Sequence, residues 1–98
     1  MNNEILLALK QVIDPELGLN VVDLGLVYRA ERGPQGIEVT MAMTSPACPL
    51  GEMIVEEAKL ALQTRFPDTA SIQVELVREP AWTPDRMTEE GKRQLGMS

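Results

Sequence analysis

Histidine is absent from this 98-residue chain, and cysteine, tryptophan, tyrosine and phenylalanine occur once each. Without an imidazole, a Cys-His nucleophilic pair cannot form within the chain, and a monomer cannot close a zinc site of Cys and His ligands. A single thiol cannot form an intramolecular disulfide. Long apolar runs are also missing: no stretch approaches the roughly 20 residues that span a bilayer, so no membrane partner is expected. The opening Met1-Asn2-Asn3-Glu4 lacks the basic start of a secretion signal, which makes the cytoplasm the expected location. Positive charge is in deficit, with 9 Lys and Arg against 15 Asp and Glu and a net charge of -6. The basic residues are scattered between Lys10 and Arg93, so nucleic acid is not an expected partner.

What is present is ordinary globular material. Apolar residues make up 44% of the chain and charged residues 24%, with no low-complexity stretch, and residues 1–98 read as a single domain. Ile5, Leu6, Leu9, Val12 and Ile13 recur at helical spacing and predict a helix over 3–13, capped by Asn2 or Asn3 and stopped by Asp14-Pro15. "DPELG" reads as a turn with Gly18 at positive φ. Val21 to Ala30 reads as a strand with Leu24, Leu26 and Tyr28 on one face, and a hairpin joins it to a second strand in which Ile37, Val39, Met41 and Met43 alternate with polar or small residues. Leu50, Met53, Ile54, Ala58, Ala61 and Leu62 form the stripe of a long helix ending near Phe66-Pro67. Ile72, Val74 and Leu76 mark a third strand, parallel to the second across a right-handed crossover. A proline-rich loop then leads to a short helix capped by Thr88 and ended by Gly96. The expected fold is α+β, a two-layer α-β-β-α-β-α domain with helices on one face of a small mixed sheet.

The lone Cys48 lies in "TSPACPLG", after the second strand and at the predicted start of the long helix, with Pro49 in the favoured first helical position. Two readings compete. Free cysteine commonly packs as a small hydrophobe. Against that, Thr44 and Ser45 are polar, Pro46 and Pro49 stiffen the loop, and the free amides of a helix start lower a thiol pKa. A thiolate there has two uses: a soft metal ligand completed by other donors, or a carrier or nucleophile of the persulfide kind. Asp23, before the first long strand, and Glu52, one turn along the helix, are acids that could assist, with a solvated surface role as the alternative for each. Trp82 reads either as cover for a site or as a core anchor, and Met41, Met43 and Met53 read as packing.

"VIDPELGLNVVDLGLVY", "MTSPACPLG" and "EPAWTPDRMTEEGKRQLG" together resemble the metal-sulfur cluster biosynthetic family of SufT/PaaD-like iron-sulfur assembly domains, in order and over nearly the whole chain. The resemblance implies a fold similar to the C-terminal domain of NifU-type scaffolds. It also implies a non-enzymatic accessory role in assembling or transferring iron-sulfur clusters, with assembly and client proteins as partners. It carries the functional cysteine onto Cys48, the acid of the Asp-Leu-Gly segment onto Asp23 and the Asp-Pro-Glu turn onto Asp14, Pro15 and Glu16, with Thr44 and Ser45 in the cysteine loop and Trp82 in the proline-rich one. The expected cofactor is iron or an iron-sulfur cluster held transiently, with Cys48 and Asp23 as metal ligands and Thr44 and Ser45 beside them. One cysteine cannot supply a cluster's four protein ligands, so stable cargo calls for a homodimer, an external thiol or the client itself. A subunit supporting a phenylacetyl-CoA oxygenase, or a persulfide-carrying enzyme, is the alternative expectation; the short length favours the general assembly role.

Overall fold

A computed structural model of the chain describes residues 1–43 and 51–96. Its first helix, α1 (Asn3–Leu9), is opened by Asn2, whose Oδ1 accepts the Ile5 amide at 3.0 Å, satisfying one of the donors that a helix start leaves without a partner. The helix stops four residues short of the expected limit. The Gln11 and Val12 amides turn back to the Ala8 and Leu9 carbonyls at 3.2 and 3.0 Å, and Pro15 biases Asp14 toward extended backbone. Ile13–Asp14 (β1) therefore pairs antiparallel with Leu19–Asn20 (β2), across a turn in which Gly18 has φ 69°. Ile13, expected on the buried helix face, is 46% exposed.

The next strand also begins late. Residues 21–25 form a turn, held by Leu24 N–H to the Asn20 carbonyl at 3.1 Å and Gly25 N–H to the Val22 carbonyl at 3.0 Å. The strand itself is β3 (Val27–Gly33). A bulge between Val27 and Arg29 places Val27 and Ala30 inside, with Tyr28 half-buried and Arg29 exposed. Leu24, Leu26 and Tyr28 thus do not share a strand face: the alternating pattern continued through a turn, and the extra bulge residue shifted its phase.

β4 (Gly36–Met41) pairs antiparallel with β3, from Val27↔Met41 to Gly33↔Gly36, and buries Ile37, Val39 and Met41 as the alternation predicts. β5 (Ile72–Leu76) lies parallel to β4 on the other side, giving the order β3-β4-β5. The expected mixed sheet is there, and the β1-β2 ribbon adds a second, two-stranded sheet.

Between β4 and β5 in sequence, α2 (Gly51–Arg65) buries Gly51, Ile54, Ala58 and Leu62. Met53 does not belong to that stripe and is 43% exposed; Leu50 lies outside the described residues. Ile5 and Leu9 of α1 join Ile54 and Leu62 of α2, the inner face of β4, and Val21, Leu24 and Leu26 in one core. Each such side chain contributes about 1.5–3 kcal/mol when fully buried. A single 3-10 turn (Pro84–Arg86) precedes α3 (Glu89–Gln94), whose Thr88 cap accepts the Gly91 amide at 3.0 Å. α3 is seated on the 21–25 turn: a Cβ at Gly91 would stand 2.5 Å from the Asp23 carbonyl oxygen.

Candidate functional site

Three successive backbone hydrogen bonds bring the motif segments side by side. Val21 N–H donates to the Val12 carbonyl at 3.0 Å, Leu26 N–H to the Val21 carbonyl at 3.0 Å, and Ala42 N–H to the Leu26 carbonyl at 2.8 Å. Asp14 is two residues beyond Val12, Asp23 two beyond Val21, and Thr44 two beyond Ala42. Met41 extends the row to the next segment by accepting the Val77 amide at 2.8 Å. The first residue of α2 closes down on the same end of the sheet, since a Cβ at Gly51 would lie 3.0 Å from Leu76 Cδ1 and 3.7 Å from Met43 Cγ. The carboxyl ends of the parallel pair β4-β5 and the start of α2 thus meet at one end of the sheet, and the bonds through Leu26 and Val21 link that end to the segments that carry Asp23 and Asp14. Cys48, Thr44 and Ser45, with Pro46 and Pro49, lie outside the described residues.

Asp23 is 7% exposed and thoroughly engaged. Its Oδ2 accepts from Asn20 Nδ2 at 2.8 Å, its Oδ1 from Thr88 Oγ1 at 3.0 Å, and its own amide donates to Asn20 Oδ1 at 2.8 Å. Its carbonyl accepts the Thr88 amide at 3.0 Å. The carboxylate therefore ties the 21–25 turn to the cap of α3. The Asn20 contribution was missed in sequence reasoning; the three-residue spacing from Asn20 to Asp23, typical of an Asn side chain accepting a turn amide further along the chain, was its signal. Thr88 was read as a helix cap, and nothing in its local sequence showed that its hydroxyl also reaches Asp23.

Asp14 differs in one respect. It is 1% exposed, and its Oδ1 accepts the Glu16 and Leu17 amides at 2.8 and 3.4 Å, which is what shapes the DPELG turn. Its Oδ2 is buried and has no hydrogen-bond partner among the described residues. A buried carboxylate oxygen without a donor costs at least about 1–3 kcal/mol, so this is an acceptor with capacity to spare. Among the described residues, no group of three or more Cys, Asp or Glu side chains converges as a metal site.

Of the two readings of Trp82, the structure bears out the core anchor. Trp82 packs against the core, and its Nε1 donates to the Leu24 carbonyl at 2.6 Å, so the proline-rich loop is sewn to the Asp-Leu-Gly segment. Glu52 is exposed on the first turn of α2. Met41 is fully buried, as packing requires, and Met43 is half-buried against the core.

A family profile described as iron-sulfur cluster assembly protein matches residues 2–76. The chain belongs to the iron-sulfur cluster assembly family. Among the relatives of this family member, the Fe-S protein maturation auxiliary factor YitW of Bacillus subtilis is 42% identical over 98 residues, covering 99% of this chain and 95% of that protein. The Fe-S protein maturation auxiliary factor SufT of Staphylococcus aureus is 41% identical over 88 residues, covering 89% and 99%. A crystal structure of a domain of unknown function from Bacillus anthracis superposes with a TM-score of 0.91 at 39% identity, covering 98% of this chain and 92% of that one. Resemblance and α+β fold are both borne out. No helix among the described residues is long and apolar enough to cross a membrane.

Proposed function

We propose that the protein is an accessory factor in iron-sulfur cluster assembly or transfer, in which Cys48 acts as a transient thiolate ligand to cluster cargo. The observation that supports the reading is the row of backbone hydrogen bonds through Val12, Val21, Leu26 and Ala42, which links the segments carrying Asp14 and Asp23 to Ala42 at the end of β4, six positions before Cys48 in the chain. Full-length similarity to proteins named maturation auxiliary factors supports the role and favours general assembly over service to one oxygenase. Those names also fit a factor that performs no catalysis of its own.

The chemistry follows from the donors. A single soft thiolate suits iron or a cluster edge, and with neither a second cysteine nor any histidine in the chain it completes no coordination sphere alone. Cargo is therefore shared with a second copy, an external thiol or the client, which suits transfer rather than storage. Asp23 already accepts one hydrogen bond on each oxygen, from Asn20 and from Thr88, so it joins as a ligand by sharing those oxygens or by releasing a bond. Asp14 offers an oxygen that needs no such release. Thr44 and Ser45 add hydroxyls four and three positions before the thiol in the sequence.

The test is Cys48→Ala in cells that depend on the factor. The variant is expected to fold with an unchanged thermal midpoint yet to leave client proteins without clusters. Complete rescue of client activity by Cys48→Ala would overturn the thiolate role. Anaerobic reconstitution with iron and sulfide, comparing Cys48→Ser with the parent chain, reads the same point spectroscopically.

A further inference from the structure

On the side of the domain where α1, the 21–25 turn and the proline-rich loop meet, an open groove of about 650 Å³ has walls of Leu6, Val22, Val27 and Pro80. Its floor carries Tyr28, with the Arg86 guanidinium 4.5 Å from the centre of the ring. No carboxylate is found among the described residues that line it, although the chain carries 15 acidic side chains. Asp23 stands behind Thr88 with both oxygens already occupied, by Asn20 and by the Thr88 hydroxyl. Arg86 forms no ion pair with any described residue.

The cation is held in place from both ends. Tyr28 is fixed by its own hydroxyl, which donates to the Pro80 carbonyl at 2.8 Å. The Arg86 backbone is pressed against Gly25, where a Cβ could not be accommodated, and its amide donates to the Thr83 carbonyl at 3.0 Å. A guanidinium placed over an aromatic ring still has N–H groups to donate, and its fork matches a carboxylate in planar, two-point fashion. The volume falls within the range of small-molecule sites, and an apolar wall with one convergent polar group is their usual composition.

We propose that this groove is a binding site for a small carboxylate with an apolar chain, its head paired with Arg86 and its chain lying along Leu6, Val22 and Val27. The proposal does not rest on the cluster chemistry, although the groove shares Gly25 and Thr88 with the surroundings of Asp23.

Octanoate is a suitable probe, titrated into the full chain by calorimetry at low salt with chemical shifts recorded in parallel. Saturable binding is expected, with shifts at Val22, Tyr28 and Arg86, and with octanamide bound at least about 10-fold more weakly because the charge-assisted pair is lost. Arg86→Gln is expected to lose a similar factor while retaining the parent's thermal midpoint. Val22→Asp, which leaves Arg86 in place but puts a carboxylate along the path of the apolar chain, is expected to weaken binding as well. The proposal fails if octanamide equals octanoate, if Arg86→Gln keeps parental affinity, or if the shifts fall elsewhere. It fails too if octanoate does not bind, and binding of a short peptide with a free, leucine-ended terminus in its place would make the groove a chain-end site.

Discussion

Replacing Asp23 by alanine separates a structural role from a ligand role, because the structure sets its cost in advance. The carboxylate accepts from Asn20 Nδ2 at 2.8 Å and from Thr88 Oγ1 at 3.0 Å in a site only 7% exposed. Hydrogen bonds to a charged group are worth about 1.5–3 kcal/mol each, so two give about 3–6 kcal/mol. Water entering the space left by the side chain recovers part of that, and we expect the lower end, about 3 kcal/mol. For a domain of this size each kcal/mol moves the midpoint by about 4–8 °C, so Asp23→Ala should melt about 12–24 °C below the parent. Asp23→Asn should fall between the two. Its amide oxygen still accepts from Thr88, but its NH2 meets the NH2 of Asn20, which is held in orientation by the Asp23 amide at 2.8 Å. Urea unfolding followed by far-UV circular dichroism measures all three chains. A midpoint for Asp23→Ala equivalent to a loss of under about 0.5 kcal/mol would refute the account of Asp23 as a fastener. If the loss is as large as expected, failed client maturation by this variant cannot by itself be credited to lost metal binding.

Gly25→Ala combines a left-handed backbone, φ 76°, with a Cβ driven into the Arg86 carbonyl; about 1–2 kcal/mol for the first and about 1–3 for the second predict a loss of about 2–5 kcal/mol by chemical denaturation. Gly91→Ala sets two effects against each other: helix propensity favours alanine by about 1 kcal/mol, whereas its Cβ would stand 2.5 Å from the Asp23 carbonyl oxygen. The contact is with backbone and cannot yield cheaply, so a net destabilisation is expected, and a raised melting temperature would contradict it. Trp82→Phe keeps most of the ring but leaves the buried Leu24 carbonyl without its 2.6 Å donor; a loss of about 1–3 kcal/mol should appear in the same measurement.

Local chemistry made several elements legible. The Ile37, Val39, Met41 alternation, the Asn2 and Thr88 caps and the positive φ of Gly18 each depend on a few neighbouring residues, and each is found in the structure. Long-range contacts decided the rest. Val21, Leu24 and Leu26 are all fully buried without belonging to a strand, because Trp82 and the core enclose a turn. The bulge at Val27 and Arg29 leaves no mark in composition. Val12 and Ile13 keep helical spacing, yet Pro15 and the pairing with Asn20 draw them into extended chain. At the candidate site, Asp14 was legible as a helix stop and a turn former. Its spare oxygen was not, since that depends on burial supplied by other segments. Asp23 was picked out as an acid with a task, but the two donors that occupy it come from Asn20 beside it and Thr88, 65 positions away.

The family profile ends at residue 76, whereas two of the bonds that hold the Asp-Leu-Gly turn come from beyond it: Trp82 to Leu24 and Thr88 to Asp23. A chain cut after Leu76 would keep every family motif up to that point and lose the clamp on one of them. The segment from Trp82 to Thr88 is thus part of what holds the Asp23 turn, through direct bonds to Leu24 and Asp23.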